Sequence, residues 1–375
     1  MMKFMFVCRQ CRTEHSCREQ LWRCPCGGLL DLLAAGAAES AEAPAGAGLW
    51  KYRACLPIDR DENIVSLGEG NTPLVPLEQN GRSFWVKLEQ CSPTGSFKDR
   101  GASVLISKAK ELGLRKVIED SSGNAGCAMA AYAARAGIEC HVYVPAATSP
   151  AKLVQMRSYG AHLVLVPGTR QQTADAALAA AEKEYYASHS WNPFFFQGTK
   201  TIAYEIREQL GNRAPERLVL PAGNGTLLLG VYIGFQELLK AGQIRRMPRL
   251  MAVQSERCCP LRAAREQDRW PPQDCSPQPT LAEGIAVASP VRGPQILEAV
   301  RESGGEILTV TEEEIRAALR LLGRSGYYVE PTAAVAVAGI LRLETSLFAR
   351  ETVVSVLSGH GLKAGTAIAA ILEQD

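Results

Sequence analysis

Long apolar runs are absent from this 375-residue chain. None reaches the roughly 18–20 residues that a membrane-crossing helix needs, so no such span is expected. An excess of either charge is also missing. Forty-one lysines and arginines face 39 aspartates and glutamates, and the net charge of +2 argues against nucleic acid or a membrane surface as an electrostatic partner. Histidine is scarce, with five residues, and the four outside the last glycine-rich turn show no metal-ligand spacing along the chain. The opening residues Met1–Val7 lack the longer apolar core and small-residue cleavage site of a secretory leader, so none is expected. No internal repeat is visible. What remains is 46% hydrophobic and 21% charged, the balance of an ordinary globular protein. Its length suits two or three domains that bury about three quarters of the unfolded surface.

Cysteine, by contrast, is plentiful, with twelve residues. Cys8-x2-Cys11 and Cys24-x-Cys26-Gly27-Gly28 form two short pairs near the start. Four thiolates so spaced suit tetrahedral zinc, and a segment this short has little core of its own. The single residue inside the second pair is a shorter spacing than usual, and a metal-free ribbon is the alternative. Cys17, between the pairs, reads as a substitute ligand or as a surface or core thiol. The remaining cysteines, including Cys258-Cys259, read as reduced thiols of a cytoplasmic protein. Residues 1–30 are therefore expected to form a zinc-ribbon-like segment, and 31–48, which have few large apolar residues, a linker. The linker predicts a ribbon whose removal leaves the rest of the chain largely undisturbed.

Four glycine-rich turns carry the remaining information. Ser92-Pro93-Thr94-Gly95-Ser96-Phe97-Lys98-Asp99-Arg100-Gly101 sets a lysine just after a tight turn, at the mouth of a helix that Ser96 is placed to cap. A helix N-terminus disfavours the charged amine, which helps only chemistry that needs a neutral one. A surface lysine paired with Asp99 is the plain alternative. Asp120-Ser121-Ser122-Gly123-Asn124-Ala125-Gly126 follows the strand-like Lys116-Val117-Ile118 and opens a small-residue helix. Ala222-Gly223-Asn224-Gly225-Thr226 follows the strand-like Leu218–Pro221, and Ser358-Gly359-His360-Gly361-Leu362-Lys363 follows Ser355-Val356-Leu357. Each turn offers backbone N–H groups to a phosphate or carboxylate. One such turn is ordinary in an α/β protein. Four at the carboxyl ends of strands mark a ligand site.

In their order and content, these four motifs resemble pyridoxal-phosphate enzymes of the tryptophan-synthase-β class (fold type II), and within it the threonine synthase family, over about residues 49–375. Many members also begin with a cysteine-paired ribbon ending in Cys-Gly-Gly. The resemblance implies an α/β fold of two doubly wound parallel or mixed sheet domains with the cofactor between them. A small mobile domain would span 92–190 and a large one 49–91 with 191–375. It implies a homodimeric, cytoplasmic biosynthetic lyase that acts on a small amino-acid substrate. Lys98 would be the Schiff-base and catalytic lysine. Asn124 would meet the cofactor's 3′-oxygen, Gly223, Asn224, Gly225 and Thr226 its phosphate, and Ser358 its ring nitrogen. A neutral hydroxyl there would favour elimination and replacement over transamination. Ser121, Ser122, Asn124, Lys152 and Asn192 would bind substrate, and Cys8, Cys11, Cys24 and Cys26 a structural zinc.

The implied reaction turns O-phosphohomoserine and water into threonine and phosphate. Phe194-Phe195-Phe196 stands where the family commonly has an arginine, and an apolar wall cannot solvate a phosphate dianion. The cation would then come from Lys152, Lys200 or Arg292, although Arg292 reads more simply as a surface arginine. The alternatives are a serine or threonine dehydratase, a β-replacement enzyme acting on phosphoserine, and a catalytically silent cofactor-binding protein whose ribbon recruits a partner. Gly68-Glu69-Gly70-Asn71-Thr72 matches a family segment near the substrate and reads equally as a turn. His360 reads as a shaper of its turn before an acid or base. Glu330-Pro331-Thr332 matches a family segment beside the cofactor ring and reads equally as core packing.

Overall fold

The computed structural model describes residues 3–35, 48–148, 150–273 and 275–373. Among them, the strands are β1 (Lys3–Cys8), β2 (Glu14–Ser16), β3 (Leu30–Ala35), β4 (Leu74–Gln79), β5 (Arg82–Lys87), β6 (Lys116–Glu119), β7 (Glu139–Pro145), β8 (His162–Val166), β9 (Arg217–Pro221), β10 (Arg249–Ser255), β11 (Glu306–Val310) and β12 (Val353–Val356). The helices are α1 (Lys98–Glu111), α2 (Asn124–Ala136), α3 (Pro150–Ser158), α4 (Arg170–Ala180), α5 (Pro193–Thr199), α6 (Thr201–Gln209), α7 (Thr226–Lys240), α8 (Pro260–Glu266), α9 (Gly293–Glu302), α10 (Glu312–Arg324), α11 (Pro331–Leu341) and α12 (Gly365–Leu372). The fold is α/β with mixed sheets, as the alternation of motifs implies. None of these helices is long and apolar enough to cross a membrane. The chain divides into two compact units, residues 1–71 with 98–201 and residues 72–97 with 202–375.

In the first unit, β6, β7 and β8 form a parallel sheet in that order. Side chains alternate along β7, so Cys140, Val142 and Val144 turn inward and join one core with the alanines of α2. Those small side chains let the helix lie close to the sheet. A second, antiparallel sheet of order β2-β1-β3 forms the ribbon. It continues to Ala35, past the expected boundary at residue 30, because Leu32 and its neighbours pair with β1 along its whole length. The expected linker is thus a strand over 31–35, and residues 36–47 lie outside the described ones.

The ribbon is not an independent body. Phe6 meets Phe194 edge-on at 5.2 Å, and Trp22 meets Tyr186 and Trp191 at 5.1 and 5.6 Å. Residues 49–71, which the resemblance assigns to the large domain, also pack within this unit, where Leu49 and Leu56 lie against Val104. Glu69 is the polar centre of that contact. Fully buried, its carboxylate accepts hydrogen bonds from Trp50 Nε1 (3.0 Å), Ser103 Oγ (2.5 Å), Ser66 Oγ (3.1 Å), Leu67 N (2.9 Å) and Tyr132 OH (2.7 Å). The Gly68–Thr72 segment thus contains a structural tie within this unit.

The second unit holds a six-stranded sheet of order β11-β10-β9-β12-β5-β4, parallel except for the antiparallel β4–β5 pair. Asn80 and Gly81 join that pair with φ of 51° and 72°, the two left-handed positions of a tight hairpin turn. Pro76, which cannot donate to a ladder, sits in the edge strand β4. Lys87 ends β5 fully buried, and its ammonium is satisfied by Glu205 Oε2 (2.7 Å), Thr72 O (2.6 Å) and Gln209 Oε1 (2.8 Å). The apolar α11 packs on β9 and β10 to close the core.

Candidate functional site

Within the first unit, Lys98 is the first residue of α1. The position follows from the turn before it, where Gly95 has a φ of 85°. Ser96 does not cap the helix as expected, since its buried hydroxyl takes no hydrogen-bond partner among the described residues. The Lys98 amine lies 5.5 Å above the Phe195 ring, and burial lowers its pKa to about 7 against the opposing pull of Glu119. The shift is in the direction that the sequence reading required, and the side chain is half-buried where the plain alternative was a surface lysine. Phe195 can approach because residue 101 is glycine, where a Cβ would lie 2.4 Å from the ring. The three phenylalanines are therefore core residues of α5 packed on α1, all buried, and Phe195 reaches the lysine.

Two neighbours of Lys98 escaped the sequence reading. Glu119 ends β6, directly before the Asp120–Gly126 turn, and accepts from the backbone N–H of His189 at 3.1 Å. Its other oxygen meets His189 Nδ1 at 2.7 Å. Burial first, then the adjacent Asp120, raises the Glu119 carboxyl well above its usual range. Burial first, then the Lys98 charge, holds His189 well below its own. Asp120 is bound by Arg170 at 2.5 Å. The only sequence signal for Glu119 was its place at the carboxyl end of a strand. His189 had none.

The remaining first-unit candidates separate clearly. Asn124 opens the 13-residue α2, whose N-cap Gly123 offers no side chain, and the amino end of such a helix can receive an anion. Ser121 and Ser122 are half-buried in the same turn, and Ser121 Oγ accepts from Gly123 N at 3.2 Å. Asn192 is fully buried. Its amide caps α5 through Phe194 N (3.2 Å) and donates to Tyr185 OH (2.8 Å) and Tyr186 O (3.3 Å), which occupies both of its ends. Lys200 is buried, with its amine 5.6 Å from the Phe4 ring of the ribbon. Lys152 lies in α3, and its side chain is outside the described residues.

The four ribbon sulfurs converge. Cys8 and Cys26 Sγ are 3.5 Å apart, Cys11 and Cys24 Sγ 3.6 Å, and all four fall within 4.8 Å of one another. Sulfurs each about 2.3 Å from a tetrahedral ion stand about 3.8 Å apart, so the set can hold zinc. Cys17 is not part of it, and the twelve cysteines are all free thiols.

In the second unit, Gly223, Asn224 and Gly225 link β9 to Thr226, the first residue of the 15-residue α7. Gly223 is pressed against the backbone, where a Cβ would stand 2.8 Å from Ile285 Cα. A turn this rich in glycine at the start of a long helix can hold a phosphate with its backbone N–H groups and the helix dipole. Ser358 is buried after β12, and its carbonyl accepts from Phe97 N at 3.1 Å. Gly95 O accepts from His360 N at 2.9 Å, and Lys363 Nζ donates to Thr94 O at 2.8 Å. The Ser358–Lys363 turn thus latches the turn that leads into Lys98. His360 shapes it, with Nδ1 accepting from Leu362 N at 3.1 Å. Thr332 Oγ1 accepts from Gly284 N at 3.1 Å, beside the residue that touches Gly223. Arg292 is not a surface arginine. It is buried at the start of α9 and donates to Gln295 Oε1 at 2.8 Å.

Comparison with known proteins agrees with this arrangement. Residues 65–359 match the family model described as "Pyridoxal-phosphate dependent enzyme". A threonine synthase of Methanocaldococcus jannaschii is 36% identical, over 95% of this chain and 92% of its own. One from Synechocystis sp. is 38% identical, over 83% and 82%. Among solved structures, a threonine deaminase from T.th. matches with a TM-score of 0.64 and 29% identity, covering 77% of this chain and 92% of its own.

Proposed function

The chain belongs to the pyridoxal-phosphate dependent enzyme family, and on that premise we propose that it is a threonine synthase, a lyase that converts O-phosphohomoserine and water to threonine and phosphate. The observation that carries this reading is the near-neutral Lys98 amine at a helix start, in a chain over a third identical to threonine synthases across most of its length. The chemistry of the residues in each unit suits a part of the cofactor. Lys98 would carry its aldehyde carbon and Asn124 would meet its ring oxygen. Gly223, Asn224, Gly225 and Thr226 would hold its phosphate, and Ser358 its ring nitrogen. When bound, the group supplies an electron-accepting ring next to the substrate's Cα.

The chain's own residues do the rest. A neutral Lys98 amine can take and return a proton at Cα near pH 7, which a lysine of ordinary pKa does poorly. Burial lowers the pKa of that amine, with Phe195 beneath it at 5.5 Å and Glu119 pulling the other way. Ser121, Ser122 and the amino end of α2 offer donors to the substrate carboxylate. Lys152 is proposed to meet the leaving phosphate. The ribbon cysteines are proposed to hold one zinc as a structural ion, and the enzyme to act as a cytoplasmic homodimer. A panel of amino acids and their O-phospho forms, added to the purified protein while the cofactor's visible spectrum is followed, separates the readings. Turnover of O-phosphohomoserine supports the synthase. A 2-keto acid from serine or threonine alone supports the dehydratase, for which the deaminase likeness speaks.

A further inference from the structure

The histidines at 141 and 162 are 21 residues apart and carry no ligand spacing in the sequence, yet strand pairing brings them together. In the parallel β7–β8 pair, His141 and His162 are direct register partners, so both imidazoles leave the same face of the sheet. Glu139, two residues before His141, shares that face by the same alternation. The rings lie 4.9 Å apart, His141 Nε2 touches a Glu139 carboxylate oxygen, and one ligand atom from each of the three residues falls within 4.8 Å of the others.

We propose that Glu139, His141 and His162 form a divalent transition-metal site, separate from the cysteine cluster, that clips the edge strand β8 to β7. Two neutral imidazoles and one carboxylate are a donor set that suits zinc or nickel, with water completing the shell. The site is open to solvent. Glu139 and His162 are exposed and His141 half-buried, while α4 packs on the same two strands and covers Tyr143 further along. The neighbouring cation does not fill the site. Lys116 pairs with Glu139 across β6–β7 but directs its amine to Glu184 at 2.9 Å. The three ligands sit at the amino ends of their strands, whereas the Asp120–Gly126 turn follows the carboxyl end of β6. A metal here therefore acts on the fold of the sheet and not on the reaction.

The test uses the full-length holoenzyme with its cysteine cluster first saturated with zinc and excess metal removed. Equilibrium dialysis against Ni²⁺, with metals counted by elemental analysis, should show about one nickel per chain beyond the zinc. His141→Ala and His162→Ala should each weaken that uptake by roughly a hundred-fold, at least the loss seen when a supporting residue is removed. Both variants should match the wild type in metal-free melting temperature and in turnover, and only the wild type should melt higher with nickel added. No nickel beyond the zinc, or uptake by either variant as strong as that of the wild type, would overturn the site.

Discussion

His189 is tied to Glu119 twice, through its backbone N–H to one carboxylate oxygen at 3.1 Å and through Nδ1 to the other at 2.7 Å. Both groups are buried within the unit that carries Lys98, and His189 is held neutral by burial and by that lysine's charge. Its imidazole resonances should therefore not titrate near the ordinary value of 6.5 but only well below it. His189→Ala leaves one Glu119 oxygen without its partner, and should cost about 1–3 kcal/mol in chemical denaturation. A normal histidine titration would contradict the pairing.

Lys98 itself should titrate near 7 in cofactor-free protein. Labelling by an amine-reactive reagent should rise through that pH, well before ordinary lysines respond. Between about 7 and the ordinary 10.5, the unfolded chain binds a proton that the native lysine does not, so this group's contribution to stability rises with pH across that window. Labelling with a midpoint near 10.5 would mean that the amine is not enclosed.

Gly223→Ala should loosen the cofactor without unfolding the chain. The added Cβ meets Ile285 Cα at 2.8 Å, so the turn must move and its N–H groups lose their aim. Losing one charge-assisted contact to phosphate is worth about 1.5–3 kcal/mol, a fall of roughly ten- to a hundred-fold in cofactor affinity, read by dialysis and residual absorbance. Unchanged affinity would remove this turn from the phosphate site.

The ribbon should contain about one zinc per chain, lost in the Cys11→Ser, Cys24→Ser double variant. Deleting residues 1–48 should lower the melting temperature sharply, because Phe194, Tyr186 and Trp191 lose the aromatic partners Phe6 and Trp22. A truncated protein as stable as the full chain would show that these contacts contribute nothing.

How much of this was legible in the sequence depended on how far apart the cooperating residues lie. Local signals held well. Residues 218–221 lie in the expected strand and Lys98 follows its glycine turn into a helix, because side-chain pattern and turn chemistry act over a few residues. What needed tertiary packing did not show. Asn192 has the look of a ligand residue and is an N-cap, and Arg292 has that of a surface arginine and is buried. Phe194 and Phe195 read as a wall of the substrate pocket and are the seam between two helices and the ribbon. The pairing of His141 with His162 is a matter of strand register, which no spacing rule in one chain reveals.

The central claim is tested most directly by product analysis. Full-length protein loaded with cofactor and given O-phosphohomoserine should release inorganic phosphate and threonine in equal amounts, borohydride should fix the cofactor to Lys98, and Lys98→Ala should do neither. A 2-keto acid from threonine with no phosphate released from O-phosphohomoserine, or a borohydride label on another lysine, would contradict the account.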